Sequence, residues 1–318
     1  MELIRGLHNL QPRHRGCVGT IGAFDGVHLG HQELMTRLVA KGKELNLPTT
    51  VICFEPLPRE YFAPAEAPAR LMSFKEKFVA LRKLGIDRVL RIRFDARFRS
   101  MTAEDFIQHV FVDGLNVKYI VVGDDLRFGQ GRKGDANVLR AAGVKQGFEV
   151  VDTGSVLEDG KRISSTRIRQ CLENADFFEA AQLLGQPYTV SGKVVYGRQV
   201  GRSIGIPTAN MELHRFRAAL SGVYAVEVSG FDDNTYHGMA NVGTRPTIGD
   251  RVKAILEVHL LDYSGNLYGK TIDVVFRYRI RDEMKFESLE ELKRTIHADI
   301  EHGREYFNNQ ASAQAITQ

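Results

Sequence analysis

Two histidines, His28 and His31, close the glycine-rich stretch TIGAFDGVHLGH at residues 20–31, directly after an apolar segment containing Val18 and Ile21. Gly22, Gly26 and Gly30 let the backbone turn tightly and approach a ligand closely. Leu34, Leu38 and Leu45 then recur at helical spacing, so the histidines fall where a loop becomes a helix N-terminus. Backbone N–H groups and the positive end of the helix dipole favour an anion there, and two imidazoles add side-chain donors for the same phosphate. A lone histidine in a glycine turn is most simply a surface residue. Here strand, glycines, Asp25, both histidines and helix coincide, and the combination reads as a nucleotide site. A Walker A loop does not fit, because no Lys-Ser or Lys-Thr follows the last glycine, and a Rossmann Gly-x-Gly-x-x-Gly is absent from the stretch.

Three further clusters carry chemistry. ISSTRIR at residues 163–169 puts hydroxyls at the start of a short helix. A helix cap explains one such hydroxyl, but Arg169 adds a planar charged fork suited to phosphate oxygens. GRSIGIPTAN at 201–210 holds Thr208 and Asn210, whose oxygens are hard ligands appropriate to Mg²⁺ beside phosphates; taken alone, Pro-Thr-Ala-Asn also makes a plain polar turn. LEVHLLD at 256–262 sets Glu257 on an apolar strand, where alternation alone also yields a solvent-facing carboxylate.

The elements that must position these residues differ between the two halves of the chain. Through about residue 185, strands near 18–22, 49–54, 88–92, 119–123 and 148–152 alternate with helical stretches, the pattern of a parallel sheet covered on both faces. Ser73 with Glu76 and Thr102 with Asp105 mark helix starts, and Phe74, Phe78 and Leu81 give the first of these an apolar face. Ligands in such sheets sit beyond the carboxyl ends of the strands, where the HLGH turn falls. After LLGQPY the texture changes to short alternating segments between glycine turns (VSGKVVYG, SGVYAVEVSG, YHGMANVG, ILEVHLLD), which predicts an antiparallel barrel. A last helix starts at Ser288 and Glu291, buries Leu289, Leu292, Ile296 and Ile300 against the barrel, and gives way to a frayed polar tail after Asn308.

At 318 residues two domains are the natural expectation. The 43 Lys and Arg against 39 Asp and Glu are spread along the chain; no clustered basic stripe calls for nucleic acid. Apolar runs such as YIVV at 119–122 are too short for a bilayer and the N-terminus lacks a secretory core, so we expect a cytoplasmic protein without a membrane partner. Cys17, Cys53 and Cys171 lack metal-ligand spacing; Cys17 and Cys53 read as small buried residues. The sequence leaves the oligomeric state open, a homo-oligomer included.

HLGH resembles the HxGH signature of the nucleotidylyltransferases, and GAFDGVHLGH is similar to its form in the bacterial bifunctional riboflavin kinase/FAD synthetases. ISSTRIR resembles the ISSTxIR element of the same family, GRSIGIPTAN its kinase PTAN element, and NVGTRPT at 241–247 its next block. The resemblance runs from about Gly19 to about Asp299. It implies an α/β fold: a Rossmann-like nucleotidylyltransferase domain over residues 1–185, then a riboflavin kinase domain over 186–318 that is an antiparallel β-barrel with a terminal helix. In the first domain AMP passes from ATP to the phosphate of FMN, giving FAD and pyrophosphate. His28, His31, Ser165, Thr166 and Arg169 hold phosphates, Arg162 is a further candidate, and Gly22, Phe24, Asp25, Gly26 and Gly30 shape the adenosine side. Pro56, Pro58 and Phe62 in FEPLPREYF border the flavin, with Asp125 and Phe128 beside them; the family usually has Phe where this chain has Leu126. In the second domain Glu257 is the base that takes the proton of riboflavin's 5′-hydroxyl. Backbone from Gly192 through Gly201, with Arg202, cradles ATP, Thr208 and Asn210 hold Mg²⁺, and Asn241 and Arg281 contact flavin. Riboflavin, FMN and ATP are then the small-molecule partners, with FMN and FAD as products. A chain retaining one activity, or a flavin-binding regulator without turnover, are the alternatives.

Overall fold

The computed structural model describes residues 1–197, 205–213, 215, 217–246 and 252–316. The chain divides into two compact units: Met1–Pro68 with Phe74–Ser165, and Ala69–Ser73 with Thr166–Gln318.

In the first unit, β1 (Glu2–Arg5), β2 (Val18–Ile21), β3 (Thr49–Glu55), β4 (Arg88–Arg93), β5 (Tyr119–Gly123) and β6 (Glu149–Thr153) form a parallel, Rossmann-like sheet in the order β1-β4-β3-β2-β5-β6. Helices α1 (Leu29–Leu45), α2 (Pro58–Phe62), α3 (Phe74–Lys83), α4 (Ala96–Arg99), α5 (Ala103–Phe106) and α6 (Ala136–Gln146) connect the strands. β2 is buried at every position and β3 at its first five, as strands covered on both faces must be. Val51 and Ile52 show this directly: Val51 packs with Leu34 and Leu38 on one face, Ile52 with Leu90 and Phe106 on the other. Chain order reverses at β2, whose neighbours β3 and β5 lead the sheet in opposite directions. The crevice beyond the carboxyl ends of β2 and β5 is therefore where such a sheet opens for a ligand.

Strand and helix expectations hold with small shifts, and Cys17 and Cys53 are fully buried. Thr102 accepts the Asp105 backbone N–H at 3.0 Å, the expected cap. β1 was not anticipated; four residues with a charge at each end give too little pattern. Leu45 is 41% exposed at the end of α1, and Met35, fully buried, fills the helix stripe instead.

A short hairpin, β7 (Leu157–Glu158) and β8 (Lys161–Arg162), precedes α7 (Ser165–Glu173) and α8 (Phe177–Leu184). In the second unit β9 (Thr189–Val195), β10 (Ala209–Glu212), β11 (Gly222–Ser229), β12 (Tyr236–Pro246), β13 (Val252–Leu260) and β14 (Thr271–Arg281) close an antiparallel barrel in the order β10-β13-β12-β11-β14-β9. Closure removes the open edges that a six-stranded sheet would otherwise expose. The terminal helix α9 (Leu289–Ile316) lays Ile296 and Ile300 against Val223 and Met239. Its stripe starts one turn later than expected, because Leu289 is 52% exposed, and Phe307 extends it. The tail expected to fray after Asn308 is helical to Ile316; its Gln and Ala residues are strong helix formers.

Candidate functional site

The turn between β2 and α1 leaves the sheet at the reversal point. Gly26 (φ 87°) has the left-handed backbone that glycine adopts freely, and Phe24 (φ 47°) and Val27 (φ 41°) share it. The Phe24 ring folds back over Gly22 and is buried among Val18, Leu34 and Met35, so it walls the turn from beneath. Its edge meets the His31 ring at 5.2 Å.

His28 is the N-cap of α1: its Nδ1 accepts the His31 backbone N–H at 3.4 Å. A neutral ring whose Nδ1 accepts carries its proton on Nε2, so the cap fixes His28 as an Nε2–H donor. The two imidazoles are stacked at 3.6 Å, and Nδ1 of His31 is buried without a hydrogen-bond partner. Burial pushes His28 down to about 4, against the pull of the nearby Asp25 carboxylate, and holds His31 well below the ordinary imidazole value. Both rings are thus neutral near pH 7 and offer N–H groups rather than full charges. Depressed values also fix the sign of a pH effect. Between about 6.5 and 4 the unfolded chain protonates these histidines while the folded one does not, so stability falls as pH drops, and His28's share levels off below about 4. For His28 the loss is about 3 kcal/mol. Denaturant unfolding of the first unit at pH 7 and pH 4.5 checks this: His28→Asn should lose less stability on acidification than the unsubstituted protein.

ISSTRIR meets the turn through Ser165, whose Oγ donates to the Asp25 carbonyl at 2.8 Å, so this hydroxyl ties the two motifs together. Gly30 faces the same segment, 3.8 Å from the Ile163 carbonyl to its would-be Cβ. Thr166 is exposed. Arg169 donates from Nε to the Ala69 carbonyl at 2.5 Å, which sets its guanidinium plane within the second unit. Arg162 bridges Asp124 at 2.9 Å and Asp125 at 3.1 Å, just past the end of β5.

On the flavin side expected from the sequence, Pro56 follows a cis peptide bond and Pro58 opens α2. Phe62 is 62% exposed, with its ring against Tyr61 and Phe94, both at 5.6 Å. Phe128 is buried against Phe106 and Leu126 joins the same core, so both support this region from within. Phe94, in RFDARF just after a strand, and Tyr61, within FEPLPREYF, escaped the sequence reading.

In the barrel, register brings distant residues into one row. Asn210 of β10 and Asn241 of β12 are each the cross-strand partner of Glu257 on β13. Direct partners share a face, with Cβ atoms about 5 Å apart. Glu257 and His259 alternate with buried Leu256, Val258 and Leu260. Glu257 and Asn241 line a cavity of about 200 Å³ closed by Ile296 and Ile300 of α9. A second cavity of about 560 Å³ runs from Pro207 and Thr208 to Leu267 and Tyr268. Thr208 lines both. Asn210 donates toward the Thr208 carbonyl and hydroxyl, both at 3.4 Å. A Cβ at Gly197 would strike the Asn210 amide, 2.4 Å from its Oδ1, so the backbone at this glycine packs directly against that amide.

Gly192 is paired with Ile272 inside β9, where a Cβ would lie 2.8 Å from the Met211 methyl. Arg281 lines the smaller cavity, and its Nε and one terminal nitrogen grip the buried Asp299 of α9 at 2.8–3.1 Å. Gly201 and Arg202 lie outside the described residues. His259, which the sequence reading passed over, bonds the Pro207 carbonyl through Nδ1 at 2.8 Å and so braces the PTAN turn.

The comparisons with known proteins follow this division. The FAD synthetase family model matches residues 10–167 and the riboflavin kinase family model residues 184–307. A bifunctional riboflavin kinase/FMN adenylyltransferase of Pseudomonas fluorescens is 49% identical over 304 residues, 96% of this chain and 97% of its own. The chain belongs to the bifunctional riboflavin kinase/FMN adenylyltransferase family. Its counterpart in Escherichia coli K12 is also 49% identical, covering 96% of this chain and 98% of that one, and that of Haemophilus influenzae is 46% identical, covering 97% and 100%. Among solved structures, one described as a macrolide-efflux protein from Streptococcus pneumoniae superposes with a TM-score of 0.73 at 33% identity, over 95% of this chain and 98% of that one. Among the described residues no helix is long and apolar enough to cross a membrane.

Proposed function

We propose that this chain makes FAD from riboflavin in two steps, at two separate sites. Residues 186–318 phosphorylate riboflavin, and residues 1–185 adenylylate the resulting FMN. The observation that carries the reading is the row Asn210, Glu257, Asn241 beside Thr208, because Thr208 borders both barrel cavities. ATP in the larger cavity and riboflavin in the smaller would meet there. Glu257 accepts the proton of the riboflavin 5′-hydroxyl as that oxygen attacks the γ-phosphorus of ATP, and ADP leaves. Asn241 orients the flavin side, and Arg281 with Asp299 holds the cavity wall against α9. The neutral oxygens of Thr208 and Asn210 suit Mg²⁺, which prefers a few protein oxygens together with substrate phosphates and would spread the charge of the triphosphate.

In the first unit the nucleophile is the FMN phosphate, already anionic, so no protein base is required. An FMN oxygen attacks the α-phosphorus of ATP, the bond to the β-phosphate oxygen breaks, and pyrophosphate leaves. His28 and His31 donate N–H groups to the phosphates, and Ser165 supports the turn from the second motif. The turn from Gly22 through Gly30 receives adenosine. Pro56, Pro58 and Phe62 border the flavin, with Asp125 beside them. We place the protein in the cytoplasm, free of nucleic-acid and membrane partners.

The test is purified protein with riboflavin, ATP and Mg²⁺, its products resolved by chromatography. FMN should appear first and FAD after it. FMN accumulating without FAD would reduce the chain to a kinase, and bound flavin with neither product would favour a regulator.

A further inference from the structure

The stripe Phe74, Phe78, Leu81 on α3 contains a lysine. Lys77 stands three residues after Phe74 and four before Leu81, on the same helix face, and is 1% exposed, the one buried lysine among the described residues. Removing an ammonium from water costs several kcal/mol unless acceptors replace the water. Nζ of Lys77 donates to the Ala23 carbonyl at 2.5 Å, inside the turn that carries Phe24, Asp25 and Gly26. A core position that needed only volume would hold Leu or Met.

The turn needs such a partner. Phe24 and Val27 have left-handed backbone without being glycine, a conformation that costs of order 1–3 kcal/mol each and persists only when the surroundings over-determine it. Three side chains from three segments do so at alternate carbonyls: Lys77 at Ala23, Ser165 at Asp25, and Gln32 Nε2 at Val27, 2.9 Å. In a trans peptide the carbonyl and the following N–H point oppositely. Drawing in the Ala23 carbonyl therefore turns the Phe24 N–H the other way.

We propose that Lys77 is a positioning residue of the adenylylation site, which fixes the Gly22–Val27 turn for ATP and leaves the flavin side unaffected. Its charge also helps keep His31 neutral, behind the larger contributions of burial and His28. The inference rests on the adenylylation reading above.

The test is Lys77→Met, which keeps volume and removes donor and charge, assayed for conversion of FMN to FAD. We expect KM for ATP to rise about 10- to 100-fold, the range for losing a hydrogen bond from a charged donor, with KM for FMN within about twofold. Hydrogen–deuterium exchange on the same protein should speed up in residues 22–27 while β3 and β4 stay protected. If the sheet loses protection, Lys77→Gln is read the same way. An unchanged KM for ATP, or KM values for ATP and FMN rising together, would overturn the proposal. Failure of the unsubstituted protein to make FAD would overturn the adenylylation reading itself, whereas unaltered exchange at 22–27 would count against Lys77 alone.

Discussion

Glu257→Ala should lower FMN formation about 10²- to 10⁴-fold and leave conversion of supplied FMN to FAD unchanged. The range is that of a positioned general base. It applies because Glu257 is held on the face that Asn210 and Asn241 share and lines the cavity closed by α9. Glu257→Gln keeps the shape and the cross-strand contacts while removing the carboxylate, so it should fail as completely as alanine in kcat with little change in KM for riboflavin. That split separates proton transfer from packing: if Glu257 only supported the cavity, glutamine would restore the rate. Each variant is assayed twice, with riboflavin and with FMN, and the FMN assay doubles as a check on folding of the chain. A variant that made FMN at the native rate would remove Glu257 from the chemistry, and one that lost both reactions while folded would argue against separate sites.

How far these assignments could be read from the chain depends on the range of the interactions. The HLGH turn was legible because its strand, glycines and helix start are contiguous, and local chemistry fixes them. The row Asn210, Glu257, Asn241 was legible only as three separate motifs; their meeting is a matter of strand register, which short alternating segments do not reveal. β14 was passed over although Thr271–Arg281 alternates well, because its charged outward residues masked the apolar face. The pairing of Arg281 with Asp299 was not legible, since Asp299 lies on a helix 18 residues later. Lys77 left a visible mark, a charge within the apolar stripe of α3, yet its significance depends on Ala23, 54 residues away.

Replacing both histidines, His28→Ala with His31→Ala, should reduce FAD formation from FMN by about 10³- to 10⁴-fold and leave riboflavin phosphorylation at its native rate. Losing one preorganised donor to a developing phosphate charge costs about 10²- to 10³-fold. Two independent donors would multiply to about 10⁴ to 10⁶, but these two are one unit. His28 caps the helix through the His31 backbone N–H, and the rings stack at 3.6 Å. Removing His28 strips the cap and exposes one face of His31, so either single change should cost nearly as much as the pair, as groups acting together do. His28→Asn separates the two duties: asparagine caps helices well and can accept the His31 N–H, but it has no Nε2–H to offer the phosphate. It should restore the stability lost in His28→Ala without restoring turnover. The decisive measurement is the full cycle of single and double variants, with kcat and KM for ATP and melting of the first unit followed together. Single effects that multiply would show two independent donors; recovery of turnover in His28→Asn would reduce His28 to a cap.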